Sequence, residues 1–108
     1  MVGMTNEERA AIDHVATAPM LGQVEAWSAI NSGTRNLAGL AQMAELLVAA
    51  FGTLPGEPAL VVGNAAQNVA PDGTVTVVEH GKHLHLVVRS DAPVQILLTG
   101  HMDTVYPV

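Results

Sequence analysis

Residues 94–107, VQILLTGHMDTVYP, run from a largely apolar stretch through a glycine to a histidine and an aspartate one residue apart. The run from Val94 to Thr99 has the length and aliphatic character of a strand buried on both faces. Gly100 then ends it, which places His101 and Asp103 in the loop at the strand's carboxyl end, where open α/β sheets hold their ligands. His-x-Asp spacing alone carries little weight; its position after such a strand gives it meaning. A metal-bound imidazole needs its second nitrogen to donate to a carboxylate, which fixes tautomer and ring orientation, and an aspartate two residues on can fold back to serve.

The segment before this strand predicts a hairpin. Gly81-Lys82 fits a two-residue type II′ turn, with glycine at the position that requires positive φ. That turn pairs His80 with His83, and sets Val75, Val77 and Glu79 against Val88, Leu86 and Leu84 on a mainly apolar face. The other face carries His80, His83 and His85 with Thr74 and Thr76, as expected of a hairpin lying on a core. Ala59 to Val62 reads as a short strand, 63–73 as a loop, and Ser90-Asp91-Ala92-Pro93 as a turn.

Helices are expected further upstream. Thr5-Asn6-Glu7-Glu8 has the form of a capping box, opening a helix to about Thr17 with Ile12, Val15 and Ala16 as a narrow apolar stripe. Pro19 suits the first turn of a second helix, with Met20, Val24 and Trp27 on one face. After the turn formers Asn31-Ser32-Gly33-Thr34, a third helix starts near Thr34 or Asn36. Its Leu37, Leu40, Ala41, Ala44, Leu47, Val48 and Phe51 recur at helical spacing, and Gly52 sits where a left-handed C-cap belongs. Ser32 and Thr34 lack the strand–turn–helix elbow and the base that a nucleophile needs, so their loop reads as a helix connector. The expected class is α/β: N-terminal helices, a β-hairpin and a buried strand.

Composition narrows the function. The 108 residues are 49% hydrophobic and carry a net charge of −6, with four basic residues spread along the chain, so no basic patch exists to displace counterions from nucleic acid. There is no cysteine, which removes disulfides, thiol nucleophiles and cysteine metal sites. No apolar run reaches membrane-spanning length, and the N-terminus turns polar too soon for a signal peptide, so a soluble, cytoplasmic protein is expected. His80, His83 and His85 on one hairpin face could hold a transition metal, but no carboxylate completes that site and a solvated face is the simpler reading. His14, on a helix without a partner, reads as a surface residue.

LLTGHMDTVYP, residues 97–107, closely resembles the first metal-ligand motif of the co-catalytic zinc metallopeptidases, the family of glutamate carboxypeptidase, aminoacylase and succinyl-diaminopimelate desuccinylase. Upstream, AWSAINSGTRNLAGLAQMAELLVAAFGTL looks like that family's opening helices around a Ser-Gly-Thr loop, and HMDTVYP is nearest the glutamate carboxypeptidase branch.

The resemblance implies that His101 binds one of two zinc ions, and that Asp103, the family's active-site aspartate, orients it. It also implies a mixed sheet between helices and, in the complete protein, a smaller lid or dimerisation domain inserted later. The substrate class implied is a peptide or N-acyl amino acid with a free carboxylate. The family's bridging aspartate, its glutamate base beside a glutamate ligand, a further carboxylate and a second histidine have no counterpart in residues 1–108. The chain is therefore read as the N-terminal part of a metallopeptidase catalytic domain, expected to bind metal weakly and to be inactive alone. The rival reading is a non-catalytic α/β module that binds a partner or pairs with its own copy through an exposed sheet edge.

Overall fold

A computed structural model describes residues 3–105. The chain is mixed α/β: helices α1 (Asn6–Ala16), α2 (Met20–Ser28) and α3 (Leu37–Phe51) precede strands β1 (Ala59–Val61), β2 (Ala66–Val69), β3 (Val75–Val78) and β4 (His83–His85). The strands form two small antiparallel sheets, β1 with β4 and β2 with β3.

The helices begin where their caps dictate. Thr5 Oγ1 accepts from the Glu8 N–H at 3.2 Å, while Glu8 accepts from the Thr5 N–H at 2.6 Å, the reciprocal box that satisfies two otherwise orphaned donors. Neither α1 nor α2 buries a residue, so the stripes Ile12–Val15 and Met20–Val24 stay largely exposed and only Trp27 is half-buried. α3 is the helix that packs. Leu40, Met43 and Ala44 form its buried centre and Leu47 and Val48 its half-buried flank, a stripe at i, i+3, i+4 and i+7 shifted slightly from the expected one, since Met43 replaces Ala41. Gly52 does not take the left-handed cap. Its φ is −63°, and the helix ends instead through further tight turns, with Thr53 Oγ1 donating to the Ala50 carbonyl.

The hairpin forms one strand earlier than the sequence pattern predicts. Its turn is Ala70-Pro71-Asp72-Gly73-Thr74: Gly73 is the glycine with positive φ, at +85°, and Asp72 Oδ1 accepts from the Thr74 N–H at 2.9 Å. Pro-Asp-Gly is a strong turn signal with a mechanism in each residue, and it outcompetes Gly81-Lys82. Gly81 serves a different need. A Cβ there would sit 3.2 Å from Leu40 side-chain atoms, so the chain passes over α3 at a distance that only glycine permits comfortably.

β3 accordingly pairs with β2 (Gln67 opposite Val77), and β4 pairs with β1 (Leu60 opposite Leu84, Val61 opposite His83). The expected apolar face survives on one side only: Leu84, Leu86 and Val88 are half-buried, with β4 lying against α3, whereas Val75 and Val77 are exposed.

The second correction concerns Val94 to Thr99, which is neither a strand nor buried. Ile96 is 80% and Leu98 88% exposed. A strand needs hydrogen-bonding neighbours, and β1 to β4 satisfy one another two by two, leaving none for this run among the described residues. The turn before it forms one residue earlier than expected, over Arg89–Ala92, with the Ala92 N–H donating to the Arg89 carbonyl. Gln95 Nε2 lies within 3.3 Å of the carbonyls of Arg89, Ser90 and Ala92.

Candidate functional site

The loop between α2 and α3 and the segment after Gly100 meet, and their meeting builds the site. Ser32, 2% exposed, accepts from the Thr104 N–H at 2.9 Å, and the Thr34 N–H donates to the Thr104 carbonyl at 3.1 Å. These bonds flank a parallel bridge between Gly33 and Thr104. The loop is stiffened from beneath by two asparagines. Asn31 Oδ1 accepts from the Gly33 N–H, and Asn36 caps α3 by accepting from the Gly39 N–H while its Nδ2 donates to the Asn31 carbonyl at 2.8 Å.

Gly39 completes the support. A Cβ at that position would overlap the Asn31 carbonyl oxygen, so the first turn of α3 can press against the loop only with glycine there.

On this platform stand His101 and Asp103. His101 Nδ1 lies 2.9 Å from the Asp103 backbone carbonyl oxygen and 3.1 Å from Asp103 Oδ1. Both partners are acceptors, so Nδ1 must carry the proton, and a neutral His101 presents its lone pair at Nε2. The imidazole is 83% exposed, which leaves that nitrogen accessible to a ligand from solvent. Asp103 is held in turn from its other oxygen, where Thr34 Oγ1 donates to Oδ2 at 2.7 Å. The same hydroxyl lies 3.2 Å from the Thr104 carbonyl. Having one proton, it serves the nearer, charged acceptor best. The Thr34 hydroxyl, more than the His101 ring, keeps the Asp103 carboxyl below the ordinary aspartate range, against the opposing effect of desolvation.

Comparison with protein-family models, with curated proteins and with solved structures finds no match to this chain.

The sequence thus predicts the contact between His101 and Asp103, and the structure brings the two together. Thr34, which in sequence reads only as part of a helix connector, joins them. Its partner lies 69 positions away, a separation at which local pattern carries no signal.

The hairpin histidines are not gathered as the pattern suggests. His83 and His85 lie on β4 opposite β1, His80 lies in the loop before it, and the His83 ring packs over Gly63. Among the described residues, no three histidine or carboxylate side chains come together closely enough to hold a metal. The donor set at His101 fits one position of a zinc coordination sphere: an accessible imidazole nitrogen whose partner nitrogen is fixed by a carboxylate. Beside it opens a cleft of about 600 Å³, walled by Val24, Trp27, Ile30, Met43 and Met102.

Proposed function

We propose that this chain is the opening part of a zinc-dependent amidohydrolase or exopeptidase, and that it contributes one metal ligand, His101, to a two-zinc site completed by a later part of the same protein. The observation that carries the reading is the His101–Asp103 arrangement, in which a carboxylate accepts a hydrogen bond from Nδ1–H and leaves the Nε2 lone pair free. Its resemblance to the His-x-Asp motif of the co-catalytic zinc metallopeptidases supplies the substrate class, a peptide or N-acyl amino acid with a free carboxylate.

In such a site two zinc ions supply an activated water and polarise the scissile carbonyl. The residues of this chain have narrower tasks. Asp103 fixes the tautomer and orientation of His101, and the Ser32–Thr34 loop fixes Asp103, while Trp27, Met43 and Met102 line the cleft beside the imidazole.

The shape of the chain supports a larger protein. Its radius of gyration is 18.4 Å, against about 13 Å for a compact chain of this length, and its longest dimension is 60 Å. The exposed run Val94–Leu98 fits a strand awaiting neighbours. No helix among the described residues is long and apolar enough to cross a membrane.

The test is zinc titration of the 108-residue chain and of His101→Ala, with a hydrolysis assay alongside. Weak binding that disappears in the variant, without turnover, is expected. Binding unaffected by the substitution would overturn the ligand assignment, and a tightly bound equivalent with turnover would overturn the division of the site. The coding sequence beyond Val108 supplies an independent check, since the reading requires a glycine-rich segment with an aspartate and then a Glu-Glu pair.

The same exposed run favours a second reading, a module that associates with its own copy by pairing this segment.

A further inference from the structure

We infer that Thr34 is a positioning residue for the His101–Asp103 pair: by tying down Asp103 Oδ2, it aims Oδ1 at His101 Nδ1–H and so, together with the Asp103 backbone carbonyl 2.9 Å from the same nitrogen, selects the tautomer that presents Nε2. The inference deepens the reading of His101 as a metal ligand and uses it only for the consequence, since tautomer selection is a property of this chain by itself.

Three features carry it. First, the contacts form a directed chain. The Thr34 hydroxyl can only donate to a carboxylate, the carboxylate can only accept, and the imidazole must therefore donate from Nδ1. Each link fixes the polarity of the next.

Second, the pair needs external help. His101 is highly exposed, and two residues of separation leave the Asp103 side chain free to rotate towards water. An unrestrained histidine in water favours the opposite tautomer, with the proton on Nε2. Occupying Oδ2 removes that rotation, and at 2.7 Å the Thr34 bond is shorter than the 3.1 Å contact that it supports.

Third, the position of Thr34 is set by backbone contacts that do not involve the Asp103 side chain. Its own N–H bonds the Thr104 carbonyl, Gly33 is bridged to Thr104, and Asn31 and Asn36 brace the loop from the α3 side. The hydroxyl is thus presented from a fixed backbone, as the precise placement of a neighbouring carboxylate requires.

The experiment compares the 15N chemical shifts of the His101 ring in the native chain, Thr34→Val and Thr34→Ser, at a pH where imidazole is neutral. The native ring should be mainly protonated at Nδ1. Thr34→Val removes the hydroxyl at nearly constant shape and should move the ring towards Nε2 protonation, whereas Thr34→Ser should restore the native pattern. The Thr104 amide shift, followed in the same samples, reports the Gly33–Thr104 bridge and should stay constant.

An unchanged ring in Thr34→Val overturns the inference. Loss of the bridge together with the tautomer also overturns it, because Thr34 would then be holding backbone. Zinc titration of the same variants separates this result from the metal reading: Thr34→Val should weaken binding by about 10-fold or more, the usual consequence of losing a partner behind a ligand. A native ring protonated at Nδ1 with zinc binding indifferent to His101→Ala would leave the tautomer selection standing and remove the metal site.

Discussion

Thr34 and Asp103, 69 positions apart, are joined by a 2.7 Å hydrogen bond that connects the loop after α2 to the segment following the exposed apolar run. Asp103 thereby has both carboxylate oxygens engaged, one by a hydroxyl and one by an imidazole. Asp103→Asn keeps the shape but loses the charge, and its amide can turn a donor towards Nδ1, which favours the wrong tautomer. Zinc affinity is expected to fall by about 10- to 100-fold, read by calorimetric or competition titration. An undiminished affinity would remove Asp103 from the support of the ligand.

Two glycines in helices should respond oppositely to alanine. At Gly39 a Cβ meets the Asn31 carbonyl, so the loop must move away from α3, and Gly39→Ala is expected to cost about 1–3 kcal/mol. At Gly22 in α2 nothing lies within 4 Å, and alanine there should favour the helix by about 0.5–1 kcal/mol. Urea unfolding measures the first and helical ellipticity the second. Equal effects at the two positions would contradict the packing of the loop on α3.

Acid should loosen the β2–β3 hairpin. Asp72 is held below its ordinary pKa chiefly by the Thr74 N–H. A carboxylate with a depressed folded-state pKa contributes stability that is full above its unfolded value, about 3.9, and is lost as pH falls through the folded value. The hairpin should therefore be indifferent between pH 7 and 5 and weaken below about pH 4. Asp72→Asn should flatten this dependence. The Thr74 amide shift, followed by NMR across the range, reads the turn directly; the same acid response in Asp72→Asn would rule out this carboxylate as its source.

The run at 94–98 should be inert to the fold and active in association. Ile96→Lys with Leu98→Lys alters two largely exposed positions, so stability should change by only about 0.5 kcal/mol per site. Sedimentation equilibrium should show less self-association than the native chain. A native chain that remains strictly monomeric at high concentration would speak against the pairing module.

The parts of the fold that were legible in the sequence are those whose causes are local. The capping box at Thr5, the periodic face of α3 around Leu40 and Ala44, and the turn at Arg89–Ala92 each rest on residues within a few positions of one another. For the hairpin two turn signals compete, and the loser, Gly81, packs against Leu40 in another element, a contact that local pattern does not reveal. Val94 to Thr99 has the composition of a strand, but pairing depends on a neighbour that composition cannot supply. His101 and Asp103 were legible for the same reason as the caps, being two residues apart. Thr34 was not, because its role exists only after the chain has closed on itself.

That closure has a kinetic side. The Gly33–Thr104 bridge closes a loop of about 70 residues, whose entropy loss is roughly 4 kcal/mol before any contact repays it. The small sheets close far shorter loops, and α3 needs none, so they are expected to form first and the bridge last. During synthesis, residue 104 must clear the ribosome before His101 acquires its orientation, so the imidazole meets Asp103 and Thr34 in this arrangement only once the strands before it have been made.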